Sequence, residues 1–400
     1  MVAAPAPVIR TLNISGLADI HIQNEAQTLM FGVSIFAAAT LLVWASEVAE
    51  TLISSTLALA LLAIIAVLPE YAVDLYFAWT APNDPGNAEL ALANMTGANR
   101  LLIGLAWPAV FAMYYYRTRK RELAVGGQNA VGLVFLGIAT LYSFSIPFRD
   151  HLSLIDSGFM ISLFLVYLVI SSRAPPHAAE LVGPASTIAA LPKKLKATVV
   201  ILMFAYAAGV VFSAAEPFAE GLIHSGERLG IDEFILVQWL APLASEAPEF
   251  ILAAMLALRG RAAAGMTLLI SSKVNQWTLL VGSLPIAYSV SDQSLTGLPI
   301  DARQAEEVFL TAGQSLFAVA VLTSLTFNAR EAGLIFVLFI TQLAIPIAKV
   351  HIGFGALYIL LALIWFLTER KEVVQLGRTA YHAALTPAGH PPHDPKIEPD

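Results

Sequence analysis

The sequence predicts an all-α polytopic membrane protein with about 10–11 transmembrane helices in two inverted-topology repeats of five. Composition supports the membrane class, because 58% of the 400 residues are hydrophobic and only 13% are charged. A soluble domain carries about 25% charged residues. Apolar stretches of about 20 residues, the length that crosses the hydrocarbon of a bilayer, recur along the chain. In addition, short motifs of the first half recur in the second half.

The spans and their orientation follow from hydropathy and from basic residues. The apolar spans lie at roughly 28–53, 57–79, 89–113, 128–147, 157–172, 198–223, 232–258, 264–290, 305–327, 332–348 and 352–368. Lys and Arg concentrate in alternate loops, as at 117–121, 193–196 and 259–261. Because these residues accumulate in cytoplasmic loops, the N-terminus is predicted to lie outside and the C-terminus in the cytoplasm.

The spans divide the chain into six predicted segments. These are a polar N-terminal arm at 1–27, a first five-helix repeat at 28–172, a cytoplasmic linker at 173–197, a second, inverted five-helix repeat at 198–350, an additional transmembrane helix at 351–371 and a disordered tail at 372–400. The tail is rich in Pro and His and lacks apolar periodicity. The sequence contains no Cys, which excludes disulfides and thiolate ligands.

Three pairs of motifs, in the same order, define the internal repeat. They are AETLISS at 49–55 with AEGLIHS at 219–225, LPEYAVDLYFAW from Leu68 with APEFILAAMLAL from Ala247, and LLIG at 101–104 with LLVG at 279–282. The second pair places Glu70 opposite Glu249. With an odd number of spans in each half, such repeats are related by a pseudo-twofold axis in the membrane plane, and their binding sites lie near the bilayer midplane.

Carboxylates inside the predicted spans are the first candidate site residues. An ionisable group in hydrocarbon is costly, so it is expected to face the interior and to be functional. Glu70 and Glu249 each follow a proline, which frees a backbone carbonyl one turn earlier. Carboxylate and carbonyl oxygens together suit a hard cation. Asp74 lies one turn after Glu70, and Glu246 lies one turn before Glu249.

Further polar residues accompany these acids. Candidate ligands on the helices that follow them are Asn94, Asn99, Ser272, Asn275 and Gln276; charge-tuning residues are Arg100 and Lys273; possible access-path residues are Glu47, Glu50, Glu216 and Glu220. Structural roles remain open for all of them. A Pro-Glu pair can form a kink with a protonated acid, the amides can join helices by hydrogen bonds, and Lys273 can neutralise Glu246 or Glu249.

With these motifs, the sequence resembles the cation/calcium antiporter superfamily, typified by sodium/calcium exchangers. The resemblance covers about residues 28–350, in which a Pro-Glu helix and a small, polar helix occur twice. The family motifs read approximately Thr-Ser-x-Pro-Glu and Gly-Ser-Asn-x-x-Asn. The resemblance implies that Glu70 and Glu249 are the central ligands of the transported cation. It assigns supporting positions to Ser272 and to the amides of Asn99 and Gln276.

Both family motifs are altered in this sequence. The first reads Ala66-Val67-Leu68-Pro69-Glu70, without hydroxyls. The second reads Ser245-Glu246-Ala247-Pro248-Glu249, in which an acid replaces one hydroxyl and Ser245, a further candidate ligand, keeps the other. Lys273 also stands in the second small, polar motif. Because exchangers of this kind bind sodium through hydroxyl and amide oxygens, the changes affect the sodium sites. A fixed lysine ammonium can replace Na⁺, and a desolvated lysine can also exchange a proton.

The resemblance implies a cation antiporter rather than an enzyme. It is expected to exchange Ca²⁺ for Na⁺ or H⁺ by alternating access, in a bacterial inner membrane. The expected partners are the lipid bilayer and small inorganic cations, without nucleic acid and without a cofactor other than the transported ions. A Na⁺/H⁺ exchanger that uses Glu246 and Lys273 for the proton is an alternative. From other classes, an intramembrane enzyme would need a motif such as HExxH, which is absent, and a scaffold would leave the buried acids unexplained.

Overall fold

The chain is almost entirely helical in the computed structural model. The residues that the structure describes are 24–49, 51–52, 68–172, 181, 183–230, 232–345 and 347–385. In the first half, the helices are α1 (Asn24–Ala49), α2 (Leu68–Thr80), α3 (Gly86–Leu101), α4 (Trp107–Thr118), α5 (Ala130–Ser143), α6 (Leu154–Ser171) and α7 (Pro184–Ala189). A π segment at Leu102–Ala106 joins α3 to α4 without a loop.

The second half repeats this order. Its helices are α8 (Lys193–Leu229), α9 (Glu233–Leu258), α10 (Ala262–Asn275), α11 (Val281–Asp292), α12 (Ala302–Val321), α13 (Ala329–Ala344), α14 (Ala348–Thr368) and α15 (Arg370–Leu385). Another π segment, Gln276–Leu280, joins α10 to α11. Each half therefore has an α-helix, a π segment and a second α-helix in succession. In proteins, π segments occur frequently at functional sites.

Short strands and 3₁₀ turns connect the helices. The strands are β1 (Glu122–Ala124), β2 (His151–Leu152), β3 (Leu298–Pro299) and β4 (Thr326–Asn328), and the 3₁₀ turns are Gly127–Asn129, Ile146–Phe148 and Leu322–Ser324. Strands β1 and β4 pair antiparallel, with Leu123 opposite Phe327. These two residues are buried, so the small sheet fixes the loops that precede α5 and α13.

Capping boxes define where three of the helices begin. The boxes pair Ser153 with Asp156 at α6, Asp301 with Gln304 at α12, and Asn328 with Glu331 at α13. In each box, the cap side chain accepts from the backbone of the third helical residue, and that residue's side chain accepts from the cap backbone. Such boxes satisfy the backbone donors that the first turn of a helix leaves without partners.

The chain divides into two compact units. One comprises Met1–Ala98, His177–Glu249 and Leu284–Leu298, and the other comprises Asn99–Pro176, Phe250–Ser283 and Pro299–Asp400. In the first unit, α1 and α8 pack through an apolar cluster that includes Ala38, Leu42, Val210 and Val211. In the second unit, α12 packs against α5 and α14, and α15 packs against α5. Three of the five divisions fall within helices, namely α3, α9 and α11.

The helices that can cross a membrane are partly distinct from those that carry polar residues. Among the described residues, six segments are long and apolar enough to span a bilayer: Thr28–Ala49, Gly127–Phe148, Leu154–Ser171, Lys193–Gly226, Ala302–Ser324 and Lys349–Thr368. The remaining predicted spans include the α3–α4 and α10–α11 pairs, which are interrupted by π segments and contain polar side chains. Such π segments within helices are frequent at functional sites.

Several predicted boundaries need correction. The tail was predicted to be disordered from residue 372, but residues 372–385 belong to helix α15. This helix is amphipathic, with Leu376 and Ala380 buried one turn apart, a pattern that the Pro- and His-rich sequence after it obscured. The predicted linker contains α7, and α8 begins at Lys193 rather than at 198. Helix α1 begins at Asn24 and α14 at Ala348, each a few residues earlier than predicted.

Candidate cation-binding site

In the first unit, Asp74 and Asn94 form a buried hydrogen-bonded pair. Asp74 lies on α2 and is fully buried, and Asn94 lies on α3 with 1% of its surface exposed. The Nδ2 atom of Asn94 donates to Oδ1 of Asp74 over 2.7 Å. Neither Oδ2 of Asp74 nor Oδ1 of Asn94 has a hydrogen-bond partner among the described residues. Two oxygens without donors, one of them on a carboxyl group, are suitable ligands for a cation or a proton.

Helix α9 contributes the acids of the second repeat to the same unit. Glu246 is buried, with 2% of its surface exposed, and Glu249 is half-buried. Ser245 donates its hydroxyl to the carbonyl of Ala241 over 3.3 Å, so this hydroxyl is directed along its own helix. The sequence-predicted residues Ser245, Glu246 and Glu249 therefore lie within two turns of one helix, with both carboxyl groups shielded from solvent to different extents.

Helices α3 and α9 approach each other closely at Gly97. A Cβ atom placed on Gly97 would lie 1.8 Å from the backbone oxygen of Gln238. Pro242, four residues after Gln238, has no backbone N–H to bind that carbonyl. The carbonyl therefore lacks the usual bond from the fourth residue along its helix, at the point where glycine lets the helices meet, one turn from Asn94 on α3. The Nε2 atom of Gln238 is also buried without a hydrogen-bond partner among the described residues.

The predicted access-path residues differ in their surroundings. Glu220 is exposed and accepts a hydrogen bond from the hydroxyl of Tyr76 over 3.2 Å. Glu47 and Glu216 are half-buried. Glu50 lies outside the described residues, as does the side chain of Glu70, whose backbone belongs to the first turn of the described part of α2.

In the second unit, Lys273 is fully buried and binds Asn99. The Nζ atom of Lys273 lies 2.6 Å from Oδ1 of Asn99 and 3.4 Å from its backbone oxygen. The same Nζ atom lies 4.6 Å from the centre of the Trp277 ring. An amide oxygen and an aromatic face both stabilise a buried ammonium group. The resemblance assigned the amide of Asn99 to the transported cation, but here it binds a lysine of the same protein.

The other predicted polar residues of this region lie close to Lys273 in the sequence, and they are also buried. Ser272, Asn275 and Gln276 are each at most 8% exposed, and Gln276 donates to the hydroxyl of Ser272 over 3.3 Å. Gln276 is also the first residue of the second π segment. The polar face predicted for this helix therefore exists, and it lies inside the second unit.

Arg100 has a partner that the sequence analysis missed. Its guanidinium group forms an ion pair with Glu307 of α12, 2.5 Å apart, and both side chains are almost completely buried. His351 of α14 lies 3.2 Å from both Glu306 and Glu307. Two adjacent acids within the predicted 305–327 span were the available signal, because buried acids and bases in membrane helices usually pair.

Comparisons with known proteins agree with this architecture. A family model described as "Sodium/calcium exchanger protein" matches residues 26–173 and 199–348, two segments that correspond to the two repeats. A solved structure described as "H+/Ca2+ Exchanger CAX" is 40% identical, with a TM-score of 0.90 over 95% of this chain and 96% of its own. A comparison with curated protein sequences found no match.

More distant solved structures share the fold. Native YfkE is 16% identical, with a TM-score of 0.63 over 86% of this chain and 97% of its own. The sodium-calcium exchanger NCX_Mj is 16% identical, with a TM-score of 0.52 over 80% of this chain and 98% of its own. The repeats, the polytopic helical fold and these matches lead to one conclusion. The chain belongs to the sodium/calcium exchanger family of cation/calcium antiporters, and it is an integral, multi-pass membrane protein that acts as a secondary transporter.

Proposed function

We propose that this protein is a Ca²⁺/H⁺ antiporter. In this proposal, the carboxyl groups of Glu70 and Glu249 bind the transported ion near the bilayer midplane, and the site opens alternately to the two sides of the membrane. Asp74, Glu246, Asn94 and Ser245 adjust the charge and the oxygen ligands around it. The solved structure that is 40% identical is described as an H⁺/Ca²⁺ exchanger, which favours protons over sodium as the second ion.

The observation that carries this choice is the contact between Lys273 and Asn99. By resemblance to the exchanger family, this amide is expected to bind the transported cation. Here its Oδ1 atom lies 2.6 Å from the ammonium of Lys273. Because the ammonium group is fixed and already binds this amide oxygen, Na⁺ is not needed there. Its positive charge also repels a second cation. Protons do not need this amide oxygen as a ligand, because they bind directly to carboxylates.

The pair of Asp74 and Asn94 supports the same choice. A carboxyl group that is fully buried, with one oxygen lacking a hydrogen-bond donor among the described residues, is destabilised when it is ionised alone. Either a proton or a cation relieves this cost. A cation and protons that neutralise the same carboxylates cannot bind together, so each ion displaces the other. Mutual displacement at a site with alternating access is the physical basis of exchange.

The location and orientation are part of the proposal. Basic residues in the loops at 117–121, 193–196 and 259–261 favour a cytoplasmic position for these loops in a bacterial cell, with the N-terminus outside. With this orientation, α15 lies on the cytoplasmic side, because α14 ends there. An inward proton gradient would then drive Ca²⁺ out of the cell.

Transport by the purified protein in sealed vesicles tests the proposal. Vesicles with an imposed pH gradient, and separately with an imposed Na⁺ gradient, would be supplied with radioactive calcium while valinomycin and K⁺ clamp the membrane potential. We expect uptake driven by the pH gradient and no uptake driven by Na⁺ alone. Calcium uptake that follows Na⁺ and ignores pH would refute proton coupling. Sodium flux against protons, without calcium movement, would instead support a Na⁺/H⁺ exchanger.

Two variants test the assignment of the site. Glu70→Gln and Glu249→Gln keep the size of the side chains and remove the charges, so each is expected to reduce calcium uptake by about a factor of ten or more. Glu122→Gln, at an exposed position in β1, is the matched control and should transport normally. The assignment fails if both site variants are purified as folded protein and still exchange Ca²⁺ at the rate of the control.

A further inference from the structure

Helix α15 has a second apolar face, opposite to the one that packs against the protein. Leu376 and Ala380 form the buried face. On the other side of the helix, Val374, Tyr381 and Leu385 are 54%, 64% and 62% exposed, respectively. Because an α-helix has 3.6 residues per turn, these three side chains fall on one stripe along its axis. Large apolar side chains grouped on an exposed face indicate a surface that contacts something other than water.

Basic side chains share this stripe. Arg378 lies between Val374 and Tyr381 on the helix surface, and two further basic residues lie one turn before Val374; all three are exposed. The outer stripe of α15 therefore comprises Arg370, Lys371, Val374, Arg378, Tyr381 and Leu385. The Nε atom of Arg370 donates to the backbone oxygen of Leu367 over 3.0 Å, so this end of the stripe adjoins the last turn of α14.

The acidic residues near α15 lie away from the outer stripe. Glu372 is half-buried and lies nearly opposite Val374 around the helix axis. Glu369 precedes the helix and interacts electrostatically with Glu331 at the start of α13. The exposed ring of His382 contacts that of Tyr381, with their centres 6.1 Å apart. The six residues of the outer stripe thus include three positive charges and no negative charge.

The helix that precedes α15 faces lipid. Helix α14 is long and apolar enough to cross a bilayer, yet only 22% of its most apolar stretch is buried, compared with 89% for α12. Its last two turns expose Ile364 and Leu367. In a membrane protein, apolar side chains that are exposed along a span contact the acyl chains of lipids. Because only Glu369 separates the two helices, α15 begins where the chain leaves the hydrocarbon.

Helix α15 then follows the edge of the second unit at this level of the membrane. It packs against α5, α6 and α14, which are the less buried spans of this unit, and against the 3₁₀ turns Gly127–Asn129 and Leu322–Ser324. Each of these two turns lies at one end of a span. A Cβ atom added to Gly127 would lie 3.7 Å from Cγ2 of Thr379 on α15. These contacts hold the buried face of α15 against the protein and leave the outer stripe toward the surroundings.

We propose that the outer stripe of α15 binds anionic phospholipids in the leaflet next to the end of α14. Val374, Tyr381 and Leu385 lie at the boundary between headgroups and acyl chains, and the three basic side chains contact headgroup phosphates. Tyrosine and long basic side chains favour this depth, because each has an apolar body and a polar end. The stripe also continues the lipid-facing side of α14, which favours lipid over a water-soluble partner. This inference concerns lipid rather than transported ions and does not depend on the proposed function.

Spin labels on α15 test this contact directly. The sequence contains no Cys, so an introduced cysteine is a unique labelling site. Tyr381→Cys places a nitroxide on the outer stripe, and Gln375→Cys places one at an exposed position beside it. Each labelled full-length protein would be reconstituted in nanodiscs of phosphatidylglycerol, which is anionic, or of phosphatidylcholine, which is not. The ratio of nitroxide collisions with oxygen, which concentrates in lipid, to those with a water-soluble nickel chelate measures the depth of the label.

The two lipids should give different depths for the outer stripe. A basic side chain near an anionic surface favours association about fivefold, so we expect the collision ratio at position 381 to be about fivefold or more higher in phosphatidylglycerol. The ratio at position 375 should change much less. A label at position 381 that the nickel chelate reaches equally in both lipids would show that the stripe faces water or a soluble partner, and this would overturn the proposal. Equal insertion in both lipids would overturn it too, because the headgroup charge would then have no effect.

Removal of the basic side chains tests their part in the contact. The variant Arg370→Gln/Lys371→Gln/Arg378→Gln, made with the label at position 381, should lose the difference between the two lipids. Its matched control, Lys193→Gln/Lys194→Gln/Lys196→Gln, removes the same charge at the start of α8 and should keep the difference. Loss of the difference in both variants would assign it to the total charge of the protein, which contradicts a site on α15.

Hydrogen exchange of the unmodified protein gives a test that needs no variant. Backbone amides in residues 370–385 should exchange more slowly in nanodiscs of phosphatidylglycerol than in those of phosphatidylcholine, because a bound helix opens less often. Residues Pro184–Ala189, which form α7, are the internal control and should exchange equally in both lipids. Equal exchange of α15 in the two lipids would contradict the proposal.

Discussion

The ammonium nitrogen of Lys273 lies 2.6 Å from the side-chain oxygen of Asn99 and 4.6 Å from the centre of the Trp277 ring. All three side chains are at most 1% exposed. In a setting that excludes water, a fixed positive charge has a strong influence on the ions that can bind nearby. The contact is the basis of the proposed discrimination against sodium.

Replacement of Lys273 by Met tests this role. The apolar side chain keeps the length but removes the charge, so the oxygen of Asn99 becomes available to another cation. We expect the variant to acquire inhibition or stimulation of calcium uptake by Na⁺, together with a loss of about tenfold in uptake driven by pH. Lys349→Met, at an exposed position, is the control. A variant that keeps uptake driven by pH and remains insensitive to Na⁺ would argue against discrimination by Lys273.

Asp74→Asn is predicted to separate stability from ion binding. An amide at this position can still accept from Asn94, and its own N–H₂ group can donate to the Asn94 oxygen that lacks a donor among the described residues. The free energy of unfolding should therefore change by less than about 1 kcal/mol. Calcium affinity should fall, because one negative charge is lost. Asp74→Ala, which leaves Asn94 without this partner, should instead destabilise the protein by about 1–3 kcal/mol.

These two substitutions distinguish a ligand from a structural residue. The measurements are the apparent melting temperature in detergent and the calcium concentration at half-maximal uptake. Asp292→Asn, at an exposed position at the end of α11, controls for the change of charge alone. If Asp74→Asn loses stability and retains calcium affinity, Asp74 serves the fold rather than the ion.

Gly97→Ala should disrupt the contact between α3 and α9. The added methyl group would lie 1.8 Å from the backbone oxygen of Gln238, and neither backbone can move without displacing its helix. We expect a loss of about 1–3 kcal/mol or a failure to fold. Gly333→Ala is the matched control, since its methyl group would meet no atom within 4 Å in α13. That control should be neutral or slightly stabilising, by about 0.5–1 kcal/mol, because alanine favours helices. Equal stability of both variants would contradict the close approach.

The apparent calcium affinity is expected to depend on pH. If protons and Ca²⁺ compete for the same carboxylates, affinity decreases as pH falls, by about tenfold per pH unit for each proton displaced. The measurement is calcium binding by titration calorimetry in two buffers of different ionisation enthalpy, which counts the protons released. An affinity that does not change across the pH range, with no proton release, would contradict competition at one site.

The sequence was sufficient to predict the helical class, the two repeats and the polar helices in each repeat, because these depend on local hydropathy and motif spacing. It also located Asp74, Asn94, Lys273 and Asn99 among the candidates. The sequence did not predict that Asn99 pairs with Lys273 or that Arg100 pairs with Glu307. These partners are far apart in the chain, and their contact depends on which faces of different helices meet. The burial of His351 beside Glu306 and Glu307 was not predicted, for the same reason.

Local patterns also misled the prediction at the C-terminus. Proline and histidine after residue 385 suggested disorder for the whole tail, whereas Leu376 and Ala380 provide an apolar face that packs against α5. An amphipathic helix of this length gains its stability from such packing rather than from its own residues. It could be predicted only with knowledge of the surface that receives it.

The two π segments, Leu102–Ala106 and Gln276–Leu280, have a consequence for insertions and deletions in this chain. A π turn accommodates one residue more than an α turn, so each segment is equivalent to a single inserted residue within an otherwise continuous rod. Excising one residue there would let the rod close into uninterrupted α-helix, and the residues beyond it would keep the faces that they now present. Trp107 would then keep its place in the interior, whereas the same excision within α4 would turn everything beyond it by roughly 100° about the axis.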